Sequence, residues 1–452
     1  MGILNNPNLK KDQSTSSTKG FYFGATEAEG ENNGNLCLTN YFRDYLEILD
    51  NLKFGRFVFT GRKGAGKSAI AKFIKDKSEE SDDCHATILR FSDFELEKII
   101  QSSEIDSDYE RLFFEWLIMV NLVKLIVKNK SALYTEEYSK LQRFLDSNSG
   151  LVNIDKQQIV EITKNNGGEV KFGVLTNSFG GVLKRYFGVT TTKAPFYKMI
   201  APLKEIIQII LDFEVNKNTE FWILFDDLDL HFNADEALDN LRIIELIRIA
   251  KNFNNELFKN NHAKVVVFLR EDMKQSIVTK FPDSAKLFSS YEVNIKWYNH
   301  DLFLENENSI PLKRLVNRRI KLNFQKHNIN FNEQDPWNSL FKVENYNDAV
   351  LKSSFKYVAD FTFYRPRDFV TFLSLIGQEN YTYPIDKNTL KKIIEKYILL
   401  NIKEIKSAEF KPQMQLFDLT NLGKNIHLVL RNLIFFLDDY LKYLEPLLRL
   451  YP

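Results

Sequence analysis

The sequence predicts an α/β fold in which a parallel β-sheet is covered by helices on both faces. Five short apolar runs recur along the 452-residue chain, and segments with apolar residues at helical spacing separate them. Continuous apolar strands that alternate with helices are what a parallel sheet buried on both faces requires. We expect these strands at residues 57–60, 86–91, 221–225, 264–269 and 291–295.

A polar segment precedes the first strand. Residues 1–20 contain many Lys, Ser, Thr and Asn side chains, which predicts a disordered N-terminus. Apolar residues between Tyr41 and Leu49 have helical spacing and predict a short helix that leads into the sheet. We therefore assign residues 21–300 to a core domain that contains the sheet.

The loop after the first strand fits a phosphate-binding pattern. Residues 61–68 read Gly-Arg-Lys-Gly-Ala-Gly-Lys-Ser, which matches GxxxxGK[ST], and a helical pattern follows. Such glycines let backbone N–H groups surround phosphate oxygens at the positive end of the next helix. The alternative is a Gly-rich turn before a helix that binds nothing. The predicted nucleotide contacts are Gly61, Arg62, Lys63, Gly64, Ala65, Gly66, Lys67, Ser68 and Ala69.

Two side chains of this loop have specific predicted roles. Lys67 would pair with the β- and γ-phosphates, and Ser68 would hold Mg²⁺ through its hydroxyl. Because Lys67 has no nucleotide to bind in the empty site, we expect its side chain to face solvent there. These roles predict ATP and Mg²⁺ as cofactors.

Three acids follow the third strand. Asp226 and Asp227 come where an acid beside a phosphate loop can hold magnesium or take a proton from water. We assign Asp226 to magnesium and Asp227 to the base, and Asp229 competes for either role because the end of the strand is uncertain by a residue or two. The alternative is that these acids cap the next helix or face solvent.

Arginines complete the predicted catalytic set. Arg270 follows the fourth strand, at the sheet edge where open α/β folds bind ligands, and could donate to γ-phosphate oxygens. Arg367 follows a proline at a helix start and could reach the nucleotide from a helical lid, with Arg365 as the alternative. Arg270 and the arginine at the helix start could each instead pair with a neighbouring acid. Arg318 and Arg319 are candidates for fingers that act across a subunit interface.

The segments outside the sheet predict an insertion and a helical C-terminal region. About 130 residues separate the second and third strands, more than a crossover helix needs, so residues of about 95–220 form an insertion. Its first half has helical patterns, and its glycines near residues 167–188 predict a hairpin or a flap. We expect a helical lid at residues 301–400 and a further helical segment at 401–452.

Composition excludes several classes of protein. Lys and Arg number 61 against 60 Asp and Glu, and the net charge of +1 indicates no global attraction to nucleic acid or membranes. Two cysteines do not make a disulfide framework, so we expect a reducing, cytoplasmic compartment. The apolar stretch 112–127 contains charged residues and predicts a buried helix rather than a membrane span.

Four segments together resemble prokaryotic P-loop ATPases of the AAA+/STAND group, especially KAP-like and related stand-alone ATPases. They are residues 61–69, 223–229, 265–272 and 365–369, of which the first two are the specific ones. The resemblance implies a P-loop NTPase with a five-stranded parallel sheet in the order 5-1-4-3-2, a helical lid and ATP hydrolysis. It also places sensor arginines at Arg270 and Arg367. This chain departs from the group in lacking a transmembrane hairpin and a repeat array.

The leading functional hypothesis is an ATP-driven switch or motor that controls a partner protein. The resemblance implies a role in bacterial defence against phage or foreign DNA, an effector protein as partner and a homo-oligomer. A nucleotide-gated scaffold with little turnover is one alternative, and measured turnover separates the two. A DNA-remodelling ATPase is another, although no basic helix stands out as a nucleic-acid platform. A small-molecule kinase is less favoured, because adjacent acids and a sensor arginine suit water as the acceptor.

Overall fold

The computed structural model describes residues 17–28, 30, 38, 42–90, 107–147, 200–214, 219–229, 237–258, 263–299, 306–344 and 353–404. The chain divides into two compact units. We call residues 46–296 the sheet unit, and residues 1–45 together with 297–452 the helical unit. Residues 21–45, which we assigned to the core, therefore group with the C-terminal region.

The sheet unit contains a five-stranded parallel sheet. Its strands are β1 (Val58–Gly61), β2 (Cys84–Arg90), β3 (Glu220–Asp226), β4 (Ala263–Arg270) and β5 (Glu292–Asn294). They neighbour one another in the order β2-β3-β4-β1-β5, and every pair is parallel. Counted from the β5 edge, this order reads 5-1-4-3-2. The central strands β1, β3 and β4 are the most apolar and the most buried, as the continuous apolar runs predict.

Helices connect and cover these strands. They are α1 (Ile48–Lys53), α2 (Lys67–Glu79), α3 (Ser107–Lys128), α4 (Glu136–Ser147), α5 (Ile200–Glu214), α6 (Ala237–Asn252), α7 (Glu271–Lys280) and α8 (Ser284–Tyr291), with a π-helical turn at Phe253–Leu257 after α6. The predicted lead-in helix starts later than expected, because Glu47 has a left-handed backbone with φ of 55° and α1 begins after it. Tyr41 lies outside the described residues.

The predicted insertion contributes α3, α4 and α5. Helix α3 packs against α5, α6, β2 and β3, and its residues between Phe113 and Ile126 are mostly buried, as the apolar stretch predicts. Among the described residues, no helix is long and apolar enough to cross a membrane. The predicted Gly-rich hairpin lies outside the described residues.

The helical unit is built from α9 (Pro311–Lys326), α10 (Pro336–Leu340), α11 (Ser354–Ala359), α12 (Pro366–Gln378) and α13 (Lys387–Glu404), preceded by a 3₁₀ turn at Glu307–Ser309. Aromatic rings form its core. Trp337 is fully buried and lies 4.2 Å from the Phe341 ring and 5.3 Å from the Phe355 ring. Helical patterns in the sequence thus correctly predict a C-terminal helical domain. The further helical segment expected at 401–452 lies, after residue 404, outside the described residues.

An N-terminal segment is part of this unit. Thr18 is buried, its hydroxyl donates to the Ile376 carbonyl at 2.9 Å, and its N–H donates to the Tyr381 carbonyl at 2.9 Å. Gly377 is required beside this segment, because a Cβ there would lie 2.2 Å from the Phe21 carbonyl oxygen. The prediction of disorder is therefore wrong for residues 17–20, while residues 1–16 lie outside the described residues.

Candidate functional site

The loop between β1 and α2 has a left-handed backbone at two of its glycines. Gly64 and Gly66 have φ of 82° and 88°, a left-handed conformation that side chains disfavour, and Gly66 precedes the first residue of α2. Ala65 is buried and donates its N–H to the Arg62 carbonyl at 3.0 Å. The loop is therefore a tight turn that ends at a helix N-terminus, where unpaired N–H groups and the helix dipole favour an anion.

Gly61 brings β1 close to its neighbours. A Cβ at this position would lie 3.2 Å from the Ala65 Cβ and 3.3 Å from the Ile295 Cβ. Its carbonyl oxygen accepts a hydrogen bond of 3.0 Å from the Lys67 Nζ, and the Arg62 carbonyl accepts a second of 3.3 Å. Lys67 is therefore folded back over the loop.

The expectation that Lys67 faces solvent is wrong. Burial lowers the pKa of its ammonium group, and the charges of Asp226 and Asp229 act in the opposite direction. Two carbonyl acceptors hold the Nζ in place, because a half-buried ammonium must replace part of the hydrogen bonds that it loses with water. A phosphate would compete with these carbonyls for the same donor.

Asp226 ends β3 and is the most buried acid of the site. It has 1 % of its surface exposed, and among the described residues no donor reaches its Oδ2. Burial, followed by the charge of Asp227, raises the pKa of Asp226 to about 6, although Ser68 and Lys67 lower it. A buried carboxylate oxygen without a donor is costly, since such groups are normally hydrogen-bonded.

Asp227 lies between two partners. Its Oδ1 lies 3.5 Å from the Ser68 Oγ, and its Oδ2 lies 3.4 Å from the Nε of Arg90, the last residue of β2. Its backbone φ of 51° is left-handed, which is uncommon for a residue other than glycine. The turn after β3 therefore directs this second acid differently from Asp226.

Arg270 ends β4, opposite Gly61 in the β1–β4 register. Its Nη1 donates to Asp229 at 2.8 Å, and its Nε and Nη2 donate to the two oxygens of Asp272 at 3.0 Å and 2.5 Å. Burial disfavours its charge, but the hydrogen bonds and charges of Asp272 and Asp229 together raise the pKa of Arg270 above its ordinary value. Arg270 therefore pairs with a neighbouring acid, as the alternative predicts, and its donation to a γ-phosphate stays a prediction.

The residues present suit a magnesium-bound phosphate. Mg²⁺ prefers oxygen ligands and uses few from the protein itself. The Ser68 hydroxyl and the unsatisfied Asp226 Oδ2 supply such oxygens, and the Lys67 ammonium is the adjacent cation. This edge of the sheet therefore brings together two oxygen atoms that could bind a metal ion, an ammonium group that could bind phosphate, and a helix N-terminus.

The predicted lid arginines belong to the helical unit. Arg365 is buried and its guanidinium binds Asp368 through Nε and Nη2, so the neighbouring-acid alternative holds for this residue. Arg367 is half-buried in the first turn of α12. Arg319 is buried and donates through Nη1 to the Phe23 carbonyl at 2.5 Å, which is a structural contact inside this unit.

Sequence reasoning did not single out Arg90. The signal that could have found it is its position, because it ends the second apolar run and the carboxyl ends of parallel strands meet at one sheet edge. In the β2–β3 register Arg90 is paired with Asp226. Asp272 is the neighbouring acid that pairs with Arg270, and Asp229 is a second acid on the same guanidinium.

Comparison with known proteins adds one finding. Residues 311–405 match the model of a FunZ-associated C-terminal helical domain, which covers α9 to α13 of the helical unit. The match does not extend to the sheet unit. No curated protein matches the chain.

Proposed function

We propose that this chain is a P-loop ATPase that binds ATP with Mg²⁺ at the carboxyl edge of its sheet and hydrolyses it. One observation carries the proposal: the buried Asp226 carboxylate has an oxygen without a donor beside Ser68 and Lys67. A folded protein tolerates such an atom where a ligand supplies its partner. A magnesium ion held by Ser68 and Asp226 would do so.

Each residue then has a defined task. The loop N–H groups and Lys67 bind the phosphates, and magnesium supplies charge neutralisation on their oxygens when it is bound. Asp227 orients and deprotonates the attacking water, with Asp229 as the alternative base. Arg270 donates to the γ-phosphate, for which it must exchange at least one of its bonds to Asp229 and Asp272.

The proposed role in the cell combines these assignments with the resemblance to AAA+/STAND ATPases. ATP is preferred over GTP because no NKxD-type guanine-binding segment follows the sheet. Arg367 of the helical unit would read the γ-phosphate, so that the helical region acts as a lid that closes on ATP and opens after hydrolysis. Such a switch would control an effector protein, in a homo-oligomer and in bacterial defence against phage or foreign DNA.

A second candidate function is a nucleotide-gated scaffold with little turnover. The observation that favours it is the pairing of both candidate bases with arginines, Asp227 with Arg90 and Asp229 with Arg270. An acid whose oxygens already contact a guanidinium must exchange that contact before it can accept a hydrogen bond from an attacking water. Turnover in the purified protein separates the two functions.

Binding of a fluorescent ATP analogue to the Lys67→Ala variant tests the proposal. Loss of charge-assisted contacts to phosphate should weaken affinity by about 1.5–3 kcal/mol, or more where several contacts depend on Lys67. Lys75→Ala is the matched control, since Lys75 lies on α2 beyond the loop and pairs with Glu79. Unchanged affinity in a folded Lys67→Ala protein would remove the phosphate-binding assignment.

Two acid variants separate the functions of β3. Asp226→Asn should weaken Mg²⁺-dependent nucleotide binding, whereas Asp227→Asn should retain nucleotide and slow its hydrolysis. Loss of turnover in Asp229→Asn alone would move the base assignment to Asp229. A wild-type protein that binds ATP tightly and does not hydrolyse it would favour the scaffold.

A further inference from the structure

Asp227 has contacts on two sides, of which the one to the Arg90 Nε is an ion-pair contact without the geometry of a hydrogen bond. Arg90 at the end of β2 contacts one carboxylate oxygen at 3.4 Å, and Ser68 at the start of α2 contacts the other at 3.5 Å. The left-handed backbone at Asp227 takes the chain away from the strand path of β3, so side-chain contacts determine where its carboxylate lies. Side chains from two different elements therefore lie against the carboxylate of one acid.

The magnitude of the Arg90 contact indicates its role. The two side chains are 29 % and 46 % exposed, and an ion pair in such surroundings contributes about 0.2–1 kcal/mol to stability. A displacement of about 1 Å in a reacting group can lower a rate by about a hundredfold. The pair therefore contributes little to folding, and a larger effect of Arg90 would have to act through the position of Asp227.

Arg90 also supplies a positive charge where acids are concentrated. Asp226, Asp227 and Asp229 lie within four residues of the chain, and Arg270 already binds Asp229. The Arg90 guanidinium faces Asp227 and lies beside Asp226 in the strand register. It offsets the repulsion that would otherwise drive the Asp227 carboxylate away from Asp226.

We infer that Arg90 is a positioning residue that holds the Asp227 carboxylate in the geometry needed for hydrolysis. The inference rests on the proposed ATPase function. Arg90 acts through Asp227 and makes no contact with the phosphates. Loss of Arg90 therefore slows turnover and leaves nucleotide affinity unchanged.

Arg90→Ala in the full-length protein tests this, with nucleotide affinity and single-turnover hydrolysis measured in parallel. The expected result is a loss of about tenfold or more in rate, with the affinities for fluorescent ATP and ADP analogues within about twofold of wild type. Arg248→Ala is the matched control, because Arg248 pairs with Glu245 on α6. Methylguanidinium added to Arg90→Ala should restore part of the rate, which a merely structural role would not give.

A double-mutant cycle then assigns the effect to Asp227. The Arg90→Ala/Asp227→Asn protein should be no slower than Asp227→Asn alone, since Arg90 acts only through that carboxylate. If the alanine variant does not fold, Arg90→Lys replaces it in the test, because lysine keeps the positive charge. We expect Arg90→Lys to retain part of the hydrolysis rate.

Several results would overturn the inference. One is an unchanged hydrolysis rate in Arg90→Ala, and another is additive losses of rate in the double variant. A third is a loss of affinity for the ATP analogue that exceeds the loss for the ADP analogue, because that result would make Arg90 a phosphate ligand. Wild-type protein that neither binds nor hydrolyses ATP would refute the proposed function and this inference with it. An active wild type with an equally active Arg90→Ala variant refutes the inference alone.

Discussion

The sheet unit and the helical unit each contain a buried carboxylate, and the two carboxylates differ in their hydrogen bonds. Asp368 in α12 is 2 % exposed, and its oxygens accept from the backbone N–H groups of Phe363 and Arg365 and from the Arg365 guanidinium. Asp226 at the end of β3 is 1 % exposed, and its Oδ2 has no donor among the described residues. The first acid is satisfied inside the protein, whereas the second keeps an oxygen without a donor, on which the proposed metal site depends.

Two lysines show the same difference between the units. In the helical unit Lys313 is 1 % exposed and its Nζ binds Glu307 at 2.6 Å and Asp335 at 3.2 Å. In the sheet unit Lys67 relies on two backbone carbonyls and lies beside acids that do not bond to it. Internal satisfaction indicates a role in stability, and its absence at the sheet edge is what the proposed binding function would explain.

Asp368→Asn should have the largest effect on stability. It leaves the Arg365 guanidinium buried with a neutral partner, and breaking a buried pair in this way costs about 3–5 kcal/mol. We expect the opening free energy of α12 to fall by that amount. Hydrogen exchange of peptides from α12 measures it, and unchanged protection there would show that this pair contributes no more than a surface one.

Asp226→Asn should increase stability, in contrast to Asp368→Asn. The pKa of Asp226 is raised to about 6, so in the metal-free protein its contribution to stability is present below about pH 4 and is lost as the pH rises through 6. Removing the charge should therefore stabilise the sheet unit at pH 8 by up to about 3 kcal/mol, with almost no effect at pH 4.

Thermal melting in the presence of a chelator measures this difference. The matched control is Asp82→Asn, an exposed acid before β2, which should change stability little at either pH. Equal effects of Asp226→Asn at both values would mean that its burial does not disfavour the charge.

Lys77→Ala should have the smallest effect. The Lys77 Nζ lies 2.7 Å from Glu80, with the two side chains 50 % and 54 % exposed, and such pairs contribute less than about 1 kcal/mol. The melting temperature should stay within a few degrees of wild type and respond little to salt. A loss as large as that of Asp368→Asn would show that burial does not decide how much an ion pair contributes to the stability of this protein.

Much of the fold was predictable because its signals are local. Five apolar runs became the five strands β1 to β5, and the glycines of residues 61–66 became a tight turn before α2. Helical spacing likewise indicated a helical C-terminal domain. Each of these depends on residues within a short window of the chain, where periodicity and backbone freedom act directly.

The errors came from contacts that sequence patterns do not show. Thr18 is ordered by the Ile376 carbonyl, which lies more than 350 residues away, so composition alone predicted disorder for residues 17–20. Lys67 was expected to face solvent, because its acceptors are backbone carbonyls that the loop conformation alone brings to it.

The sequence by itself determined the strand pattern, the glycine turn before α2 and the acids after β3. Only the tertiary structure decided which of those acids keeps an unsatisfied oxygen. Asp227 meets Arg90 and Asp229 meets Arg270, whereas Asp226 is enclosed without a donor to its Oδ2 among the described residues. The reason is that hydrogen-bond satisfaction and burial depend on which strands become neighbours, and parallel pairing brings together residues that are far apart in the chain.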